Sequence, residues 1–337
     1  MKKLIPALIG AGVCLLFIRS GALTFFFLAP LGFVAFRYNY RIAWSALLIA
    51  LLGNALITLG TAAAEGFPAA EILWDLLYFS VMTSIFTWIV SPPPGFSAKL
   101  RGSVRFLIGS CAGAVLFAGI FYRAIISPGF AEYVRSLLDG LISLYSSAGS
   151  DVVQNALLES LTAETTLNVM LAVILRGGSL VSCVFLFFIS RQISLFFASL
   201  FLRRRGAPPP KTSSLAAFHV HSVIIWVLSL SLLLVVLARI AKLEIPEIFL
   251  WNILVLCIIM YLAQGLGILQ FFLARSSMPP FLRFVLIVLF IILVFSPVLV
   301  VLLVGIILLG IAENWVAFRA PKPNGPPSTP EAGDGGS

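Results

Sequence analysis

The fold class this sequence predicts is all-α: a polytopic bundle of eight or nine membrane-spanning helices with a cytoplasmic amino terminus. Three observations predict it. Composition comes first, because 61% apolar and 10% charged residues, with a mean hydropathy of +1.10, leave too little polar surface to cover a water-soluble core. Apolar patterning is second: runs occupy residues 4–18, 20–36, 42–60, 72–90, 106–122, 172–195, 219–238, 248–273 and 284–311, against the roughly 20 residues a helix needs to cross a bilayer. Third is charge placement. With the amino terminus inside, alternate connections collect most of the 22 basic residues, namely Lys2, Lys3, Arg37, Arg41, Lys99, Arg101, Arg105, Arg191, Arg203, Arg204, Arg205, Lys211, Arg275 and Arg283, and contain no Asp or Glu. The other connections hold Arg19, Arg123, Arg135, Arg239 and Lys242 among acids such as Glu65, Glu71, Asp139 and Glu244. Positive charge is retained on the cytoplasmic side during insertion, so this asymmetry predicts orientation.

Each run is expected to be a helix, because lipid offers the backbone no hydrogen-bond partner and the runs are too long for the alternating strands of a barrel. The first resembles a secretory signal, but Arg19 arrives before any small-residue cleavage site, which predicts an uncleaved span. Cys14, Cys111, Cys183 and Cys257 lie far apart within runs and read as small core residues, not as a disulfide framework or a metal knuckle. The long connection from Arg123 to Glu164 places Tyr133, Leu137, Leu141 and Tyr145 at fourfold spacing opposite Arg135, Asp139 and Ser143, the pattern of an amphipathic helix in the outer interface. The stretch 165–202 is too long for one span and too short for two, so part of it is expected to leave the membrane, with Arg176 and Arg191 as membrane-edge anchors. The run 284–311 forms one tilted span or breaks at Pro297. Residues 1–319 then make a single integral membrane domain, with six spans within 1–202 and the carboxyl-terminal spans within 219–319; the Pro-, Gly- and Ser-rich tail 320–337 is expected to be disordered.

The net charge of +9 does not indicate nucleic-acid binding, since the basic residues sit beside spans and not on one folded face. The bilayer is the expected partner, its anionic headgroups facing clusters such as Arg203–Arg205. No enzyme is predicted: His-Glu-x-x-His, Gly-x-Ser-x-Gly and Cys-x-x-Cys are absent, and Gly206–Thr212 lacks the second glycine of a phosphate loop and carries three prolines without N–H donors. His219 and His221 project to different helix faces. The expectation is therefore no catalytic residues, no cofactor and no metal.

Polar residues inside spans are the candidate functional groups, because a buried amide or carboxylate needs a partner and usually faces the bundle or a wet cavity. They are Asn54, Asp75, Asn252, Gln264 and Gln270. As a set they suit a small neutral or cationic ligand between helices; the competing expectation is interhelical glue. Asp75 is the residue on which the two differ most.

The carboxyl-terminal third carries a resemblance. Gln264 and Gly265 in a late span, followed by Gly310, Glu313, Trp315, Phe318 and Arg319 after the last one, resemble the YybS-like bacterial membrane proteins, grouped as domain of unknown function 2232. That family looks related to the substrate-binding components of energy-coupling-factor transporters. The resemblance implies capture of a small molecule and a partner, either another membrane protein or a separate ATPase module. It also implies a docking face of small residues on the first helix, where Ala7 and Ala11 have the spacing. Read from residues alone, Glu313 to Arg319 is an interfacial anchor, with Trp315 and Phe318 at headgroup level. Two function classes follow for this inner-membrane protein: a transporter or substrate-capture component, and a non-transporting scaffold or partner-binding subunit.

Overall fold

A computed structural model describes residues 4–21, 23–65, 69–95, 100–147, 163–208, 210, 215–275, 281, 296, 298–316 and 318–319. The tail 320–337, residues 284–295 of the last apolar run and Pro297 lie outside the described residues, as do Lys2, Lys3, Lys99, Lys211 and Arg283. The chain gathers into two compact units: residues 1–212 with 230–256, and residues 213–229 with 257–337.

The first unit starts with α1 (Ile5–Arg19), a 3-10 turn (Thr24–Phe26) and α2 (Ala29–Arg37). Pro6 and Pro30 stand in the first turns of α1 and α2, where a missing N–H costs nothing. Ser20 ends α1: its hydroxyl donates to Phe17 O and accepts from Leu23 N, a local alternative to the helical ladder. Long helices follow, α3 (Tyr40–Glu65), α4 (Ala69–Val90) and α5 (Gly102–Ile125), then α6 (Pro128–Ser147). Helix α7 (Ala163–Val173) runs through a π turn (Ile174–Gly178) into α8 (Ser179–Arg204). Helices α9 (Val223–Ile240) and α10 (Glu244–Arg275) come next, and α11 (Val298–Ala312) belongs to the second unit.

Six described helical stretches are long and apolar enough to cross a membrane, while Ile5–Arg19, Thr24–Arg37 and Val298–Ala312 are shorter. The described apolar helices thus divide into two kinds. A 15-residue helix such as α1 spans about 22 Å, less than the roughly 30 Å hydrocarbon core. Residues 165–202 fall within one 41-residue apolar stretch, Glu164–Arg204, kinked at the π turn where Arg176 and Gly177 have non-helical backbone angles.

Packing in the first unit inverts the soluble pattern. Small and polar residues face inward: Ala7, Ala11, Ala46, Ala50, Ser110, Ser190 and Ser194 are buried, while Leu56, Val115 and Phe185 are exposed. That partition is expected where the surrounding solvent is hydrocarbon and helices associate by close approach. Gly32 of α2 lies against Ser194 of α8, whose hydroxyl donates to Ala29 O at 2.8 Å, and Gly109 of α5 admits Ile89 of α4. Phe27 meets Phe79 and Phe86 meets Phe187, with ring centroids 5.8 and 6.0 Å apart, filling the remaining core. On α6, Tyr133 and Leu137 are exposed beside the exposed Arg135 and Asp139, and Val134 is the buried contact.

Candidate functional site

Asn54 and Thr58 stand one turn apart on α3 and therefore on one face, and α4 presents Asp75 to them. Arg19, the last residue of α1, joins all three: its Nη2 donates to Asn54 Oδ1 at 3.1 Å and to Thr58 Oγ1, and lies 3.6 Å from Asp75 Oδ2. Thr58 Oγ1 in turn donates to Asp75 Oδ2 at 3.4 Å. The group is graded in depth. Asn54 and Thr58 are buried, whereas the Arg19 and Asp75 side chains are 39% and 47% exposed. One donor group is left over, because Asn54 Nδ2 is buried with no hydrogen-bond partner among the described residues, and a buried donor left unsatisfied costs about 1–3 kcal/mol. A cation, a carboxylate, a hydroxyl and a spare amide N–H thus meet at one point with no net charge.

The other sequence candidates go elsewhere. Asn252 Nδ2 donates to Leu175 O at 2.6 Å and Ile248 O at 2.9 Å, tying α10 to the π turn. Gln264, fully buried in the second unit, donates to Gly310 O at 3.0 Å and accepts from Val220 N at 2.7 Å. Gln270 accepts from Ala216 N at 3.1 Å. Of the five residues expected to share a ligand, the structure brings Asn54 and Asp75 together and gives the other three to backbone groups.

The motif residues of the second unit form one knot. A Cβ on Gly265 would run into Ile306 O, and one on Gly310 into Tyr261 O, so α10 and α11 touch backbone to backbone, antiparallel. Arg319, expected from sequence to hold the helix end at headgroup level, pairs with Glu313. Its Nε donates to Glu313 Oε1 at 2.6 Å, its Nη2 to Glu313 Oε2 and its Nη1 to Ala216 O at 2.7 Å. Glu313 is buried, and Trp315, at 72% exposed, is the residue of this motif that keeps an outward position.

A family model described as "Predicted membrane protein" matches residues 8–307. The chain belongs to the DUF2232 family. Gln264 and Gly265 lie within that match, whereas Gly310 and the residues to Arg319 lie beyond its end. No curated protein and no solved structure matches this DUF2232 chain. On its first helix Ala7 and Ala11 are 0% exposed, and α1 packs against α2 and α3.

Two features escaped the sequence reading of this DUF2232 chain. Arg19 counted as a loop charge, although its sequence position, one residue after an apolar run and on the same expected side as Asp75, was the available signal. Arg176, expected as a membrane-edge anchor, instead pairs with the buried Glu247, Nη2 to Oε1 at 3.3 Å, while Trp251 Nε1 donates to the same oxygen. Gly177 makes this possible: its φ of 122° breaks the helix beside Arg176, and a Cβ there would stand 2.7 Å from Val255 Cγ2.

Proposed function

We propose that this chain is a multi-pass protein of the cytoplasmic membrane, amino terminus inside, that captures a small polar solute at its outer face through Arg19, Asn54, Thr58 and Asp75. The orientation rests on the basic connections. The observation that carries the capture reading is the buried, unpartnered Asn54 Nδ2 behind a half-exposed ion pair. A solute acceptor reaching that N–H would satisfy it, and the Arg19–Asp75 pair would open to charged or dipolar groups of the same molecule. No chemical step is proposed.

Any membrane partner or ATPase module would meet a face other than Ala7 and Ala11. A second reading, a non-transporting scaffold, is favoured by Asn252, Gln264 and Gln270, each of which hydrogen-bonds to backbone.

The test is mass spectrometry of small molecules retained by the full chain after mild detergent purification, comparing wild type with Asn54→Leu and Asp75→Asn at equal folded yield. Capture predicts a retained solute that both variants lose. An identical small-molecule complement in all three would favour the scaffold.

A further inference from the structure

A second, unrelated feature lies between α1, α2 and α8: a cavity of about 380 Å³ whose walls include Ile9, Val13, Phe17, Phe33, Val34 and Phe197. Its size is that of a small-molecule site, its lining is almost wholly apolar, and none of Arg19, Asn54, Thr58 or Asp75 borders it. Arg37 borders it, as does Tyr38 beside it. The Arg37 guanidinium carbon sits 3.4 Å from the Phe201 ring centroid and 4.8 Å from that of Tyr38, and Arg205 lies 4.7 Å from the same Phe201 ring. Two guanidiniums thus share one aromatic ring next to an apolar slot.

Ring faces attract these cations without neutralising them. Among the described residues the ion pairs are those of Arg19, Arg176, His219 and Arg319, none of which includes Arg37 or Arg205. Their chain segments contain no acid either, since 36–44 and 199–212 are free of Asp and Glu. Among the described residues no acid supplies their counter-charge, so an anion from outside can, at the point where a hydrocarbon slot begins. We infer that the groove seats one acyl chain of an anionic glycerophospholipid whose phosphate is held by Arg37 and Arg205. Guanidinium forks match phosphate oxygens, and basic pockets against membrane helices on the cytoplasmic side bind such headgroups. Both arginines lie on connections read as cytoplasmic, which puts the lipid in the inner leaflet.

The full chain, purified in a non-ionic detergent, is incubated with phosphatidylglycerol or with phosphatidylcholine of identical acyl chains, and bound lipid is counted by native mass spectrometry. One phosphatidylglycerol is expected to persist where phosphatidylcholine is lost. Arg37→Gln with Arg205→Gln should weaken retention about tenfold or more, and Val13→Trp, which fills the slot and leaves both charges, should abolish it. Equal retention of the two lipids by wild type, a comparison needing no variant, overturns the inference. So does a loss in the arginine variant that Val13→Trp does not reproduce, because that result describes headgroup attraction to a basic surface and not a site.

Discussion

The Glu313–Arg319 pair illustrates how much a single charge can rest on its partner in this protein. Arg319 is 12% exposed and Glu313 4% by side chain, and all three guanidinium nitrogens are spent on Glu313 or Ala216 O. Removing one member leaves the other buried and uncompensated, a loss of about 3–5 kcal/mol. Glu313→Gln or Arg319→Gln should therefore lower the unfolding temperature in detergent sharply, and the double variant Glu313→Leu/Arg319→Met should recover much of it. A double variant as unstable as the singles would count against a mutually dependent pair. Asp75 is the contrasting case: because both its side chain and that of Arg19 are well exposed, Asp75→Asn should cost only about 0–1 kcal/mol while removing solute retention. Comparable loss of folded protein would make Asp75 structural. At this scale the sequence exposed which residues were unusual, and the structure brings two of them, Asn54 and Asp75, to the same arginine. It could not reveal that Gln264 and Gln270 bond to backbone at 220 and 216, because those partners come from a loop whose course is not written in any periodicity.

Helix contacts depend on small residues at a few crossings. Gly265 and Gly310 let α10 and α11 meet backbone to backbone, so Gly310→Ala must push the helices apart, an overpacking cost of about 1–3 kcal/mol or more. The melting temperature in detergent should fall in the Gly310→Ala variant, and unchanged melting would contradict the contact. Gly177→Val is expected to be worse, since it combines a φ of 122° with a clash against Val255; its expression level and melting temperature check this. Helix existence was legible from apolar runs, but helix length was not. The run 20–36 yields a 3-10 turn and the nine-residue α2, and residues 165–202 bend at a π turn, because the hydroxyl of Ser20 and the positive φ of Gly177 decide where an apolar stretch bends.

For the molecule as a whole, sidedness is the prediction with the widest consequence. Arg319 binds Ala216 O, in the connection that also carries Arg203–Arg205, so the carboxyl terminus is expected on the same cytoplasmic side. A fluorescent reporter fused after Ser337 should fold and shine, whereas a phosphatase fusion there should stay inactive; the opposite pair of results would reverse the assignment. Composition, run length and charge asymmetry determined by themselves that this is an all-helical membrane protein, because transfer into hydrocarbon depends on summed side-chain polarity along a stretch. Which polar residues meet was decided by tertiary structure alone. Arg19 reaches Asn54 and Asp75 across 35 and 56 positions of chain, and Arg176 reaches Glu247 through a broken turn, since pairing across helices depends on crossing geometry that no local pattern encodes.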